Sequence, residues 1–125
     1  MKILIVEDEA VTALDLELLV GQFGHDIAGT AATRAEALAL VGRDPPDVAL
    51  VDINLRDGAT GPQIAEELAR RFGTAIVFVT ANRDLTPEFQ RLARAVLHKP
   101  IRESDLGAVL AATAGESVRQ LRAAS

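Results

Sequence analysis

The 125-residue chain is 49% hydrophobic and 25% charged, with a formal net charge of −5, which suits one folded domain with a sizeable core and excludes a disordered chain. The acidic balance and the lack of a Lys/Arg run argue against nucleic acid as a ligand, and the absence of cysteine removes disulfides, thiolate chemistry and Cys-ligated zinc. No apolar run is long enough for a signal peptide or a membrane span, so a cytoplasmic protein is expected.

In chain order, Ile3 to Val6 is a continuous apolar run that ends in Glu7-Asp8-Glu9. From Ala10 the spacing turns helical, with Val11, Leu14 and Leu18 on one stripe, Asp15 and Glu17 off it, and Gly24 as the stop. Asp26 to Ala31 is a weaker strand, placed by its position in the alternation. Thr33-x-x-Glu36 is a capping-box pattern that opens a helix to about Val41, and Asp44-Pro45-Pro46-Asp47 then forces an extended turn.

The stretch Val48 to Leu55, VALVDINL, organises the rest. Its apolar residues run without alternation into Asp52, as expected of a strand buried on both faces. A loop with Asp57-Gly58 and Gly61 follows, then a helix opened by Pro62, with Ile64 and Leu68 facing one way and Gly73 closing it. Ala75 to Val79 is a third strong apolar run, ending at Thr80. Between Asp84 and Arg94 an apolar stripe of Leu85, Phe89 and Leu92 suggests a helix that Pro87 keeps short. Ala95 to Leu97 leads to His98-Lys99-Pro100, and Ser104 is expected to cap a last helix with Leu106, Val109 and Leu110 inward and Arg119 and Arg122 at its C-terminal dipole. Phe23, Phe72 and Phe78 read as core, and His25 as a solvent-facing turn residue.

Strand and helix alternate five times, which predicts an α/β fold: a flavodoxin-like (βα)5 doubly wound, five-stranded parallel sheet in the order 2-1-3-4-5. Glu7-Asp8 and Asp52 then end the strands at the switch point, and Thr80 and Lys99 end the next two. Clustered carboxylates repel one another unless a cation lies among them, and hard oxygen ligands without nearby His or Cys suit Mg²⁺. With Lys99 as a compact positive charge and Thr80 as a hydroxyl donor, Asp52 could serve as the nucleophile of a phosphoryl transfer. Singly, each group has a duller reading as a helix-dipole partner, a turn residue, a cap or a solvated lysine. One group per strand end makes coincidence a poor explanation.

Through ILIVED, LVDINL, VFVTAN and HKP, the sequence resembles the receiver domain of bacterial two-component response regulators over essentially its whole length, residues 1–125. That resemblance implies Asp52 as phospho-acceptor, Glu7 and Asp8 as the Mg²⁺-binding acid pair with the Asn54 backbone carbonyl as a further ligand, Thr80 as switch hydroxyl, Lys99 as the phosphoryl-binding lysine, and a cis Lys99-Pro100 peptide. It implies a sensor histidine kinase or histidine phosphotransfer protein as donor, a downstream protein target, and a monomer or phosphorylation-dependent dimer. Catalysis would be limited to the protein's own phosphorylation and dephosphorylation, with Asn54 and Asn82 flanking the path of the hydrolytic water. Three features depart from the pattern: Val96 stands where many receivers carry an aromatic residue, the stretch from Thr80 to Lys99 is short, and the loop Arg56 to Gly61 is longer than usual, which reads as a tolerated surface insertion in preference to a gate to Asp52.

Met1 lies directly before the first strand and the chain ends soon after the fifth helix, so a stand-alone receiver is expected. The alternatives are a receiver of a longer regulator, a small Mg²⁺-dependent phosphohydrolase for which Asp57 is the available second carboxylate, and a non-phosphorylated binding module.

Overall fold

The computed structural model describes residues 1–42, 44–81 and 85–124, with side chains of the last helix described through residue 115. Strands β1 (Lys2–Val6), β2 (Asp26–Ala31), β3 (Val48–Val51), β4 (Ala75–Thr80) and β5 (Ala95–His98) alternate with helices α1 (Ala10–Gln22), α2 (Arg34–Val41), α3 (Gly61–Phe72), α4 (Pro87–Leu92) and α5 (Glu103–Ala124). The strands form one sheet in the order β2-β1-β3-β4-β5, every pairing parallel. The predicted flavodoxin-like fold is the observed one. Among the described residues, no helix is long and apolar enough to cross a membrane.

The continuous apolar runs are continuous because both faces of the central strands are covered. Leu4, Val6, Ala49, Val51, Ile76 and Phe78 pack on one side with Ile64 and Leu68 of α3. Ile3, Ile5, Leu50, Val77 and Val79 pack on the other with Leu16 and Val20 of α1 and Leu106 and Leu110 of α5. Burying each such side chain contributes about 1.5–3 kcal/mol, so this double core, rather than helix propensity, fixes the fold.

Several local expectations hold. Thr33 Oγ accepts from the Glu36 amide at 3.3 Å, and the Glu36 carboxylate accepts from the Ala32 amide at 2.9 Å. Gly73 takes the left-handed conformation at φ 68° and closes α3, returning its amide to the Ala69 carbonyl. Helix α4 is short, with Phe89 and Leu92 partly buried against the core and Leu85 buried just ahead of it. The Lys99-Pro100 peptide is cis. Phe78 is fully buried, whereas Phe23 and Phe72 are only partly so.

Three expectations need correction. Val11, Leu14 and Leu18 do share a stripe of α1, but it faces solvent, at 69%, 52% and 61% exposure. The core takes Ala13, Leu16 and Val20 instead, because α1 is apolar nearly all round and two stripes at helical spacing compete. Ser104 lies inside the first turn of α5, where the Asp105 and Leu106 amides bond the Arg102 carbonyl. His25 is half-buried, with the N-terminal ammonium 3.0 Å from its Nδ1. Burial first, and then that ammonium, hold its pKa below the ordinary histidine value. Arg119 and Arg122 fall outside the described side chains.

Candidate functional site

The site lies at the carboxyl edge of the sheet, and backbone ladders carry its residues one step past the strands. The Glu7 amide donates to the Ala31 carbonyl at 2.8 Å, the Asp52 amide to Val6 at 2.9 Å, and the Lys99 amide to Thr80 at 2.9 Å. Each functional side chain therefore leaves from the rigid margin of a buried sheet rather than from a free loop. Glu7, Asp52 and Thr80 are buried, Asp8 and Lys99 half-buried.

The structure brings the predicted groups together. Glu7, Asp8 and Asp52 each present a carboxylate oxygen, and the three oxygens lie within 4.8 Å of one another. Lys99 Nζ donates to Asp52 Oδ2 at 2.9 Å and to both oxygens of Glu7, at 2.9 and 3.1 Å. The Asn54 amide approaches Asp52 Oδ1 at 3.4 Å, while the Asn54 side chain is exposed. Asn82 lies outside the described residues.

Electrostatics follow from this crowding. The Glu7 pKa is raised to about 7, by burial first and by the adjacent Asp52, against the downward pull of the Lys99 hydrogen bond. For Lys99, burial works against the ammonium, but its hydrogen bonds to Asp52 and Glu7 outweigh burial and hold its pKa above the ordinary lysine value. Lys99 thus stays charged throughout the physiological range, and the raised pKa of Glu7 brings its own titration into that range.

Two features of the loop after Asp52 were not legible in the residue pattern. A Cβ built on Gly61 would lie 1.9 Å from the Asp52 carbonyl oxygen and 2.7 Å from Ile53 Cα, so the start of α3 rests directly on the backbone that carries Asp52. The only hint in the sequence was a glycine before Pro62. Asp57, weighed as a second catalytic carboxylate, turns instead to the start of α2. Its Oδ1 accepts from Thr60 Oγ at 2.6 Å and its Oδ2 from the Arg34 amide at 3.1 Å. These two hydrogen bonds hold its pKa below the usual carboxylate range, which makes it a poor proton donor or base near neutrality. The loop is therefore tied down at its tip. His98 is exposed beside Lys99, and Val96 is half-buried against the core.

The model of the response regulator receiver domain matches residues 3–111. The chain belongs to the response regulator receiver family. This receiver is 38% identical over 112 residues to the phyllosphere-induced regulator PhyR of Methylorubrum extorquens, covering 87% of this chain and 42% of that protein. It is 36% identical over 110 residues to the transcriptional regulatory protein PdtaR of Mycobacterium tuberculosis, covering 84% of this chain and 52% of that one. The receiver thus spans about half, or less, of these curated relatives. Among solved structures, the receiver domain of the Erythrobacter litoralis PhyR response regulator superposes with a TM-score of 0.81 at 37% identity, covering 90% of this chain and 88% of that one.

Proposed function

We propose that this receiver, residues 1–125, takes a phosphoryl group from a phosphohistidine onto Asp52 and passes the signal on through phosphorylation-dependent protein contacts. One observation carries the reading: Asp52 sits 2.9 Å from the Lys99 ammonium and among the carboxylates of Glu7 and Asp8, at the carboxyl edge of a doubly wound sheet. A carboxylate oxygen of Asp52 attacks phosphorus, the phosphorus–nitrogen bond breaks, and the imidazole nitrogen keeps the bonding pair. Lys99 neutralises phosphoryl charge as it accumulates, moving from the Asp52 oxygen to the incoming group. Thr80, buried at the end of β4, is the hydroxyl that reports the phosphoryl group to the loop beyond it. Phosphorylation then biases an existing equilibrium of the loop after Thr80 and the last helix face.

The donor set fits Mg²⁺: three carboxylates, no histidine or cysteine, and one of the three half-open to solvent. Glu7, Asp8 and Asp52 would hold the ion with the Asn54 carbonyl, and when bound it supplies charge neutralisation and orientation for the transferring group. Because Glu7 holds a proton below about pH 7, Mg²⁺ binding should weaken as pH falls through that value. Titration calorimetry at about pH 6 and about pH 8 should show tighter binding at the higher pH, with proton release on binding at the lower. Glu7→Gln should flatten the dependence; equal affinity at both values in wild type would contradict it.

The solvent-facing stripe Val11, Leu14 and Leu18 supplies the docking face for the phosphodonor, a sensor kinase or a histidine phosphotransfer protein. It stands on the helix that follows the acid pair directly. A cleft of about 440 Å³, lined by Thr12, Asp15, Lys99 and Ile101, runs along another side of the same helix and reaches the site at Lys99. Leu14→Asp should slow transfer from a phosphohistidine protein about tenfold, the worth of one interface anchor, and leave uptake from a small phosphodonor unchanged. An equal loss with both donors would remove the docking assignment.

The relatives' greater length favours a second reading, a receiver within a longer regulator, which the surrounding reading frame decides. Engagement of both Asp57 oxygens away from Asp52 weighs against a phosphohydrolase. We place the protein in the bacterial cytoplasm as a monomer or a phosphorylation-dependent dimer, catalysing only its own phosphorylation and dephosphorylation. Intact mass after incubation with Mg²⁺ and a small phosphodonor tests the proposal. One phosphoryl adduct, absent when EDTA is present from the start, is expected; no adduct even with fast quenching would overturn it.

A further inference from the structure

The loop between Asp52 and α3 carries a tie that phosphoryl transfer itself does not need. Its middle is a closed turn, with Leu55 and Gly58 exchanging amide–carbonyl hydrogen bonds at 2.8 and 2.9 Å. Its base is closed by the Gly61 amide on the Ile53 carbonyl at 3.1 Å. Buried Ile53 and Leu55 point its interior into the core, and Asp57 stands exposed at its tip. The two oxygens of Asp57 reach in different directions: one holds Thr60 within the loop, the other the Arg34 amide in the first turn of α2. An ordinary turn aspartate would need only the first of these.

The first turn of α2 has a use for the second. Thr33 takes the Glu36 amide and Glu36 takes the Ala32 amide, so the Arg34 amide gets its acceptor from across the molecule, at Asp57. At the other end of the loop, the Asn54 amide is 3.4 Å from Asp52 Oδ1, near the limit at which a hydrogen bond survives. A displacement of a few tenths of an ångström at the loop's base breaks that contact. It also moves the backbone of Ile53 and Asn54 past the carboxylate.

We propose that Asp57 is a positioning residue for the reaction at Asp52: by strapping the tip of the acceptor loop to the start of α2, it fixes the backbone of Ile53 and Asn54 against the acceptor carboxylate. The inference rests on the phospho-acceptor reading above. The low pKa of Asp57 keeps the strap ionised and intact across the working range of pH. The neighbouring ion pairs of Glu67 with Arg34 and Arg71, at 3.0 and 2.9 Å, engage the Arg34 side chain rather than the amide that Asp57 holds, and they provide the control.

The test measures the rate of adduct formation from a small phosphodonor at saturating Mg²⁺, and the adduct's half-life, for wild type, Asp57→Ala, Asp57→Asn and Glu67→Ala. Asp57→Ala should form the adduct about fivefold more slowly, the kinetic equivalent of one hydrogen bond. Asp57→Asn, whose amide has a single acceptor oxygen, should recover part of the loss. Glu67→Ala should behave as wild type. Asp57→Ala within about twofold of wild type would overturn the proposal, a difference too small for a hydrogen bond of ordinary worth. Equal slowing of Glu67→Ala would overturn it too, since any disturbance of that surface would then suffice. Should Asp57→Ala fail to fold, Asp57→Asn decides alone: slower than wild type supports the strap, equal to wild type overturns it. Absence of any adduct on wild type would remove the phospho-acceptor reading and this inference together; an adduct on wild type with an unaffected Asp57→Ala removes only the inference.

Discussion

Asp52→Ala is expected to take up no phosphoryl group from a phosphohistidine protein or from a small phosphodonor, a loss of about 10³-fold or more, while keeping its fold. Nearby carboxylates are poor substitutes. Both oxygens of Glu7 are held by Lys99, and both oxygens of Asp57 are engaged at the loop tip. The fold should survive because the variant does not strand a charge: Lys99 keeps its two contacts to Glu7, and the lost side chain is a carboxylate crowded by another. Removing Asp52 also removes its upward push on Glu7, whose carboxyl should move down from about 7 but stay raised, since burial is its largest cause. Mass spectrometry reads the first outcome and NMR titration of the Glu7 carboxyl the second. An adduct on the variant, or a Glu7 that does not move, would contradict the geometry.

Gly61→Ala should be the most damaging single-methyl change in the site. The added carbon would sit 1.9 Å from the Asp52 carbonyl oxygen, 2.7 Å from Ile53 Cα and 2.8 Å from the Asp52 carbonyl carbon. All three atoms are backbone, so no side-chain rotation relieves the overlap, and either α3 or the acceptor loop must shift. The expected cost is about 3 kcal/mol, the upper end for overpacking, against a total stability of about 5–15 kcal/mol for a domain of this kind. Adduct formation should fall as well, because the displaced backbone is the one that carries Asp52. Urea melts with and without Mg²⁺ measure the first effect. A midpoint unchanged from wild type would mean that the start of α3 does not rest on the Asp52 backbone as described.

The parts of the fold legible in the sequence were those with one physical cause. Ile3 to Val6, Val48 to Val51 and Ala75 to Val79 are unbroken apolar runs because both sheet faces are covered, and their ends place Asp52, Thr80 and the acid pair without further information. Pro62 and Gly73 bracket α3 through backbone chemistry alone. β2 is faint because it is an edge strand, partly exposed along most of its length. Where two causes compete, sequence patterns mislead: α1 offers two apolar stripes, and only the packed sheet selects Ala13, Leu16 and Val20 over Val11, Leu14 and Leu18. Contacts between distant positions left no local trace. Lys99 reaches Glu7 across 92 positions and Asp57 reaches the Arg34 amide across 23, and neither pairing follows from spacing.

The most direct measurement is the position of the phosphoryl group. Wild-type protein is incubated with Mg²⁺ and a small phosphodonor, quenched, and treated with borohydride, which reduces an aspartyl phosphate to homoserine; fragment masses then locate the change. Homoserine at position 52 alone is the expected result. Homoserine at another carboxylate, or a phosphoryl adduct that resists reduction altogether, would contradict the assignment of Asp52 as the acceptor.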